Sequence, residues 1–184
     1  MRTIIAGIGG EARDRAIGRV VADRLAHDAP LAAARVVVEE LNGDPFTVAQ
    51  RLGDEWPRFD RVIVVGSVVR SRPAGTIAAY RWDGELPSDD RVDLAFAAAG
   101  NGVVSLEDTL LVAKRLGQLP DDVIVVEVEP EVDESSAAFS PPVAAACDRA
   151  RTLVRRFATN SRAVDALPWL ALGGGAAGEA SRAD

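Results

Sequence analysis

The spacing of apolar residues changes repeatedly along the chain and predicts strands that alternate with helices. Short, largely apolar runs occur at residues 2–6, 35–39, 62–65 and 123–126 and predict strands. The runs at 62–65 and 123–126 are typical of strands buried on both faces. Between them, apolar side chains recur every three to four residues, as in amphipathic helices. This alternation predicts βαβ units and a mostly parallel sheet with helices on both faces.

Apolar spacing and residues typical of helix ends predict four helices. The first spans about residues 14–27, and a short one covers residues 46–52. A third, over residues 105–116, begins at Ser105 in a sequence that resembles a capping box. The fourth begins at Ser140, which is followed by proline, the residue favoured at the first helical position.

The segment at residues 76–82 alternates between apolar and polar positions and follows the turn sequence Pro73-Ala74-Gly75. Its connection from the preceding strand is too short for a crossover helix, so we predict an antiparallel edge strand. Residues 86–93 are predicted to form a loop. The predicted fold is three-layer α/β, with a twisted, five-stranded, mostly parallel sheet and this one antiparallel edge strand.

One domain is predicted over residues 1–159, followed by a loosely ordered tail over residues 160–184, which is rich in alanine and glycine. The chain has 184 residues, 48% of them hydrophobic, a balance typical of soluble globular domains. We expect no membrane-spanning segment, because no apolar run approaches the roughly 20 residues required.

Charge and cysteine content narrow the class of protein. The net charge is −7, and the arginines are scattered among acidic residues, so we expect no nucleic-acid partner. Cys147 is the only cysteine, which excludes an intrachain disulfide. The N-terminal sequence lacks the features of a signal peptide. These observations favour a cytoplasmic protein.

A glycine-rich turn, Gly7-Ile8-Gly9-Gly10, follows the first predicted strand. In open α/β sheets such a turn lies at the carboxyl ends of the strands, where ligands bind. It is either a tight strand-to-helix turn or part of a phosphate-binding loop. The third glycine of a dinucleotide fingerprint is replaced by Ala12. Glu11 and Asp14 would also repel a pyrophosphate, so the sequence disfavours a dinucleotide site.

Few other residues are suited to catalysis or metal binding. Glu11 and Asp14 could bind a hard cation. However, two carboxylates near a helix N-terminus more often compensate the helix dipole, and we favour this interpretation. The only histidine, His27, is predicted at the far end of the first helix. Cys147 lies on an apolar helix stripe and is expected to pack as a small hydrophobic residue. The sequence therefore assigns no catalytic residue.

Several short segments occur in a characteristic order over residues 3–158. They are Gly7-Ile8-Gly9-Gly10, Asp14-Arg15-Ala16-Ile17-Gly18, Pro73-Ala74-Gly75-Thr76, Glu129-Pro130 and Phe139-Ser140-Pro141-Pro142-Val143. This order resembles that of the [NiFe]-hydrogenase maturation endopeptidases. Those enzymes cut a C-terminal extension from the large subunit of a hydrogenase and use nickel already loaded in that subunit as the recognition signal.

The resemblance also implies which positions should bind nickel, and all three differ here. The family uses an acidic residue on the first helix, an aspartate after the third strand and a histidine in a later loop. The equivalent positions in this chain are Arg15, Gly66 and Asn101 (or Gly102), none of which is a normal nickel ligand. We therefore predict a cleft without a resident metal or other cofactor. Its predicted lining is Gly7, Gly9, Glu11, Asp14, Ser67 and Gly102.

Three functional hypotheses follow. In the first, the chain is a binding or maturation factor that has kept the family fold. Its partner is then a hydrogenase large subunit or the C-terminal peptide of that subunit. Alternatively, it is an active peptidase that uses Glu11 and Asp14. A third hypothesis is a small-molecule-binding α/β domain whose acidic ligand pairs with Arg15. For Arg15 we expect a pairing with Glu11, Asp14 or a bound anion, unless it is simply exposed.

Overall fold

A six-stranded sheet forms the centre of the molecule, in the order β2-β1-β3-β5-β4-β6. The computed structural model describes residues 1–10, 13–54, 58–131 and 138–173. The strands, numbered along the chain, are β1 Thr3–Gly7, β2 Val37–Glu40, β3 Arg61–Ser67, β4 Ile77–Trp82, β5 Asp122–Val128 and β6 Trp169–Leu170. Strands β2, β1, β3 and β5 are parallel, and β4 is antiparallel to β5.

Helices cover both faces of this sheet, as the apolar spacing predicts. They are α1 Ile17–Ala26, α2 Ala29–Ala33, α3 Pro45–Gly53, α4 Asp89–Gly100, α5 Leu106–Arg115, α6 Pro141–Thr159 and α7 Ser161–Asp165. Helices α3, α4 and α5 pack on one face, and α1, α2, α6 and α7 pack on the other. Among the described residues, none of the helices combines the length and the apolar character that crossing a membrane requires.

The buried strands show why their sequences are continuously apolar. In β1, Ile4 and Ala6 contact the core below α3 and α5, whereas Ile5 contacts the core below α1 and α6. Successive side chains of a strand point to opposite faces, so both sets must be apolar when both faces are covered. The sheet pairing therefore places all of β1 in the interior.

The predicted α/β architecture is confirmed, but the sheet has one strand more than predicted. The two-residue strand β6 pairs in parallel with Arg81 and Trp82 of β4. Strand β4 is therefore antiparallel, as predicted, but it is not the edge of the sheet. The sequence of β4 resembles that of an edge strand because β6, which comes from a distant segment, pairs only with the last two residues of β4.

A further prediction differs from the structure. Residues 86–93 are predicted as a loop, but α4 begins at Asp89; its buried residues Ala95 and Ala99 are small, so its sequence lacks a clear apolar stripe. The segment predicted as a loosely ordered tail includes α7, in which Ala163 and Val164 are buried. Residues 174–184 lie outside the described part of the chain.

Candidate functional site

The glycine-rich turn is shaped by close packing against the start of α1. A β-carbon on Gly7 would overlap the carbonyl oxygen of Gly18, and one on Gly9 would overlap that of Arg15. The amide of Ile8 donates a hydrogen bond of 2.9 Å to Val65 O at the end of β3. These contacts favour the tight strand-to-helix turn over a phosphate-binding loop, because the space above the glycines is filled by the protein backbone.

Asp14 is 3% exposed and connects two distant segments. Its carboxylate accepts hydrogen bonds from Ser140 N at 2.9 Å, Ser140 Oγ at 2.7 Å and Glu131 N at 2.8 Å. The residue before α1 is Ala16, which makes no side-chain capping bond. The carboxylate of Asp14 thus holds the start of α6, and its interaction with the dipole of α1 stays a prediction. Glu11 lies outside the described residues.

Replacing Asp14 by alanine should lower the free energy of unfolding by about 2–3 kcal/mol. Three donors from Ser140 and Glu131 would lose a charged acceptor in a buried position, which is the costly case for a hydrogen-bonded group. Urea unfolding at neutral pH measures this change. Asp23→Ala, at an exposed position of α1, is the control and should change stability by no more than about 0.5 kcal/mol. Equal effects of the two substitutions would contradict the anchoring role.

Gly66 lies in the penultimate position of β3, directly beside Glu127 of β5. A β-carbon at this position would lie 2.6 Å from Ile8 O and 2.9 Å from Leu106 Cδ1. Both distances are shorter than any real carbon contact of this kind, and one of the neighbours is backbone. The position therefore has no room for an aspartate side chain unless β1 and α5 move apart.

The other predicted cleft residues are more exposed and are not all brought together. Arg15 lies on a 3₁₀ turn, Arg13–Ala16, and its side chain is exposed. Asn101 is the C-terminal cap of α4 and donates a 2.9 Å hydrogen bond to Ala97 O. Within the described ranges, no hydrogen bond joins Asn101 to the glycine-rich turn. Ser67 ends β3 and is half-buried.

A buried group of arginines and glutamates lies beside Gly66, and the sequence does not predict it. We call it the arginine–glutamate cluster; its members are Arg70, Arg72, Tyr80, Glu107, Glu127 and Glu129. They come from the loop after β3, from β4, from α5 and from the end of β5. The cluster therefore joins four elements at the carboxyl ends of β3 and β5.

Glu127, which is fully buried, is the centre of this cluster. Its two carboxylate oxygens accept from Arg70 Nη2 at 2.9 Å and from Arg72 Nη2 at 2.8 Å. The hydroxyl of Tyr80 donates a third hydrogen bond at 2.9 Å. Arg70 Nη2 also lies 2.6 Å from a carboxylate oxygen of Glu107. Every charge at this position therefore has an opposite charge beside it.

The same contacts shift the pKa values of the cluster. Burial alone would raise the pKa of Glu127, but the hydrogen bonds and charge of Arg70, together with those of Tyr80 and Arg72, outweigh burial and lower it. Burial and the negative charge of Glu127 raise the pKa of Tyr80. At neutral pH the cluster therefore holds an ionised glutamate and a neutral tyrosine.

A signal for this cluster exists in the sequence. Arg70 and Arg72 are two residues apart after one buried strand, and Glu127 and Glu129 are two residues apart at the end of another. Side chains two residues apart in a strand share a face, which relates Glu127 to Glu129 at the end of β5, whereas Arg70 and Arg72 lie in the loop after β3. Matching the two pairs requires the sheet order, in which β5 lies next to β3, and the periodicity of the sequence does not provide that order.

The described residues do not fit a nickel site. Among them, no group of three or more histidine, cysteine, aspartate or glutamate side chains is arranged to hold a metal ion. The oxygens of Glu127 are occupied by two guanidinium groups and a hydroxyl, and Gly66 has no room for a ligand side chain. Arg15 and Asn101 supply a cation and an amide, neither of which suits nickel.

The fold defines the class of protein: it is an α/β protein with helices on both faces of a mostly parallel sheet and a glycine-rich turn at the carboxyl ends of its strands. No protein-family model and no curated protein sequence matches the chain. Solved structures do match it, and among them are several hydrogenase maturation peptidases.

Three of these structures represent the group. The hydrogenase maturating endopeptidase HybD from E. coli is 20% identical, with a TM-score of 0.57 over 84% of this chain and 90% of that one. A hydrogenase 2 maturation peptidase from a Thaumarchaeota archaeon is 26% identical, with a TM-score of 0.55 over 84% and 96%. An endopeptidase from Escherichia coli is 25% identical, with a TM-score of 0.58 over 91% and 98%. The chain has the fold of the hydrogenase maturation endopeptidases, which confirms the resemblance.

Proposed function

We propose that this protein is a hydrogenase maturation protease-like factor that binds a hydrogenase large subunit, or its C-terminal peptide, without recognising nickel. The fold and the names of its structural relatives support the partner. The observation that carries the nickel-independent part is the closed position at Gly66, where a β-carbon would meet Ile8 O at 2.6 Å. The equivalent aspartate of the family has no space in this chain.

Two other hypotheses are less well supported. A peptidase that uses Asp14 would need a free carboxylate oxygen, but both oxygens accept hydrogen bonds from Ser140 or Glu131. A small-molecule site at Arg15 would need a concave surface around this exposed side chain. We place the protein in the cytoplasm, as its single, buried cysteine suggests.

Peptide binding tests the proposed function directly. A peptide with the sequence of the C-terminal tail of a hydrogenase large subunit should bind the wild-type protein with a saturable isotherm, and a scrambled peptide should not. Arg15→Ala should weaken binding if Arg15 pairs with the peptide carboxylate, since a guanidinium binds a carboxylate through two hydrogen bonds. Equal binding by both proteins would leave Arg15 as a surface residue. Absence of binding to the wild type would contradict the proposed function.

Metal titration tests the nickel-independent part separately. Isothermal titration with Ni²⁺ or Zn²⁺ should show no saturable site tighter than micromolar, about −8 kcal/mol. The double substitution Gly66→Asp, Arg15→Glu restores two ligand types, but it should lower stability without creating a tight site, because Ile8 O and Leu106 occupy the space. A tight one-to-one isotherm with the wild type, abolished in Asp14→Ala, would contradict this prediction.

A further inference from the structure

Strand β6 covers only the end of β4 and leaves the rest of β4 at the margin of the sheet. It pairs with Arg81 and Trp82, and within the described ranges no strand pairs with residues 77–80 on that side. An unpaired strand edge presents a row of backbone N–H and C=O groups to which another extended segment can add. The first four residues of β4 therefore form an open edge.

The hydrogen bonds between β4 and the segment at β6 show which backbone groups point outward. Arg81 N donates to Pro168 O at 2.9 Å, away from β5. Because successive residues of a strand direct their N–H and C=O groups to opposite sides, those of Ile77 and Ala79 point to the same side as those of Arg81. Strand β6 itself shows that this edge accepts an added strand.

Half-buried apolar side chains lie beside the open edge. Ile77 and Ala79 pack partly against the core below α6, and so does Leu153 of that helix. On the same side of α6, Arg149 Nη2 donates to Gly75 O at 3.1 Å, just before β4 begins. A strand added to β4 would therefore place every second side chain beside Ile77 and Ala79, on the face of the sheet that α6 covers.

The arginines of α6 differ in their ion pairs according to the side of the helix. Arg155 pairs with Asp28, which directly precedes α2. Arg149 and Arg156 are exposed, and neither forms an ion pair with an acidic side chain of the described residues. They lie four residues before and three residues after Leu153, so the three side chains share one face of α6. This face therefore offers two positive charges to an acidic partner.

We propose that the open edge of β4 is a docking surface for an extended, acidic peptide segment of a partner protein. The segment adds to the sheet as a strand beside residues 77–80, and its carboxylates pair with Arg149 and Arg156. The backbone groups of β4 supply affinity, and the two arginines select acidic side chains. Strand β4 lies three positions from β1 in the sheet, so this surface is separate from the glycine-rich turn. The proposal does not depend on the proposed function.

Peptide binding to the full chain tests the selection of acidic side chains. The probe is the end-blocked peptide Glu-Val-Glu-Val-Glu-Val, whose glutamates share one face of a strand, and Lys-Val-Lys-Val-Lys-Val is its counterpart of opposite charge. The acidic peptide should bind with a saturable isotherm, about 10-fold or more tighter than the basic one.

The matched variants change the number of arginines on α6. The double substitution Arg149→Ala, Arg156→Ala should weaken binding of the acidic peptide by about 10-fold or more. Arg151→Ala removes an arginine of the same helix that already pairs with Asp148, and it should leave binding unchanged. Absence of binding to the wild type, or equal affinities of the two variants, would overturn the proposal.

Hydrogen exchange of backbone amides tests the addition of a strand. In the free wild type the amides of Ile77 and Ala79 should exchange about 10-fold or more faster than those of Ala78 and Tyr80, which point to β5. Saturating acidic peptide should slow exchange of Ile77 and Ala79 by a similar factor and leave the other two unchanged. If Ile77 and Ala79 do not respond to bound peptide, the peptide binds elsewhere and the proposal is wrong.

Ala79→Pro removes the outward N–H and is compatible with an edge strand, where proline is tolerated. This variant should keep the far-UV circular dichroism of the wild type and lose binding of the acidic peptide. If it does not fold, hydrogen exchange in the wild type decides. A free wild type that sediments as a dimer, and an Ala79→Pro variant that sediments as a monomer, would show that a second copy occupies the edge and would overturn the assignment to a partner peptide.

Discussion

Glu127→Gln is expected to lower the free energy of unfolding by about 3–5 kcal/mol at neutral pH. The substitution preserves the size of the side chain but removes the charge that Arg70 and Arg72 share. Both guanidinium groups would stay largely buried, each with a weaker partner. Breaking a buried ion pair costs more than the pair contributes to stability, because the remaining charge has lost its hydration. Denaturant unfolding measures the loss.

The pH dependence of this effect has a definite sign. The pKa of Glu127 is lowered by folding, so its contribution is complete above the ordinary glutamate value of about 4.3 and is lost as pH falls below it. The difference in stability between the wild type and Glu127→Gln should therefore shrink in acid. Glu85→Gln, at an exposed position, is the control and should have little effect at any pH. A difference that grows in acid would contradict the ionised state of Glu127.

Gly18→Ala is expected to lower stability by about 3 kcal/mol. Gly18 lies in the first turn of α1, where a β-carbon would overlap the carbonyl oxygens of both Ile8 and Val65. Those oxygens belong to the turn after β1 and to β3, so relief requires the helix to move away from the sheet. Such a movement would also weaken the packing of the glycine-rich turn. Thermal and urea unfolding should both report the loss.

Gly100→Ala is the matched control for this substitution. Gly100 ends α4, and no atom lies within 4 Å of the position that its β-carbon would take. Alanine is favoured over glycine in a helix, so this variant should be unchanged or more stable by about 0.5–1 kcal/mol. If both variants lost the same stability, overlap of the β-carbon with Ile8 O and Val65 O would not explain the effect of Gly18→Ala.

Which elements could be predicted depends on how much of their packing the local sequence encodes. Strands β1, β3 and β5 are predicted because burial on both faces requires a continuous apolar run. Helix α4 is not predicted because alanines at its buried positions give little contrast between its faces. Strand β6 has only two residues, too few to show any period, and its existence depends on pairing with β4.

The candidate site divides in the same way. The glycine-rich turn can be recognised from the order of motifs alone, and the replacement of nickel ligands at Arg15 and Gly66 stays a prediction that the family resemblance implies. The role of Asp14 cannot be recognised from the sequence, because its partners Ser140 and Glu131 are more than a hundred residues away and meet it only through folding. The placement of Asn101 as a helix cap likewise follows from α4, which the sequence pattern does not reveal.

By itself, the sequence determined the α/β class and the resemblance to hydrogenase maturation endopeptidases, because apolar periodicity and motif order are properties of the chain alone. Only the tertiary structure decided what surrounds Gly66 and Glu127 at the carboxyl ends of β3 and β5. Gly66 is closed by Ile8 and Leu106, and Glu127 is neutralised by arginines from another loop. Both facts depend on strand order and register, since these bring together residues that are far apart in sequence.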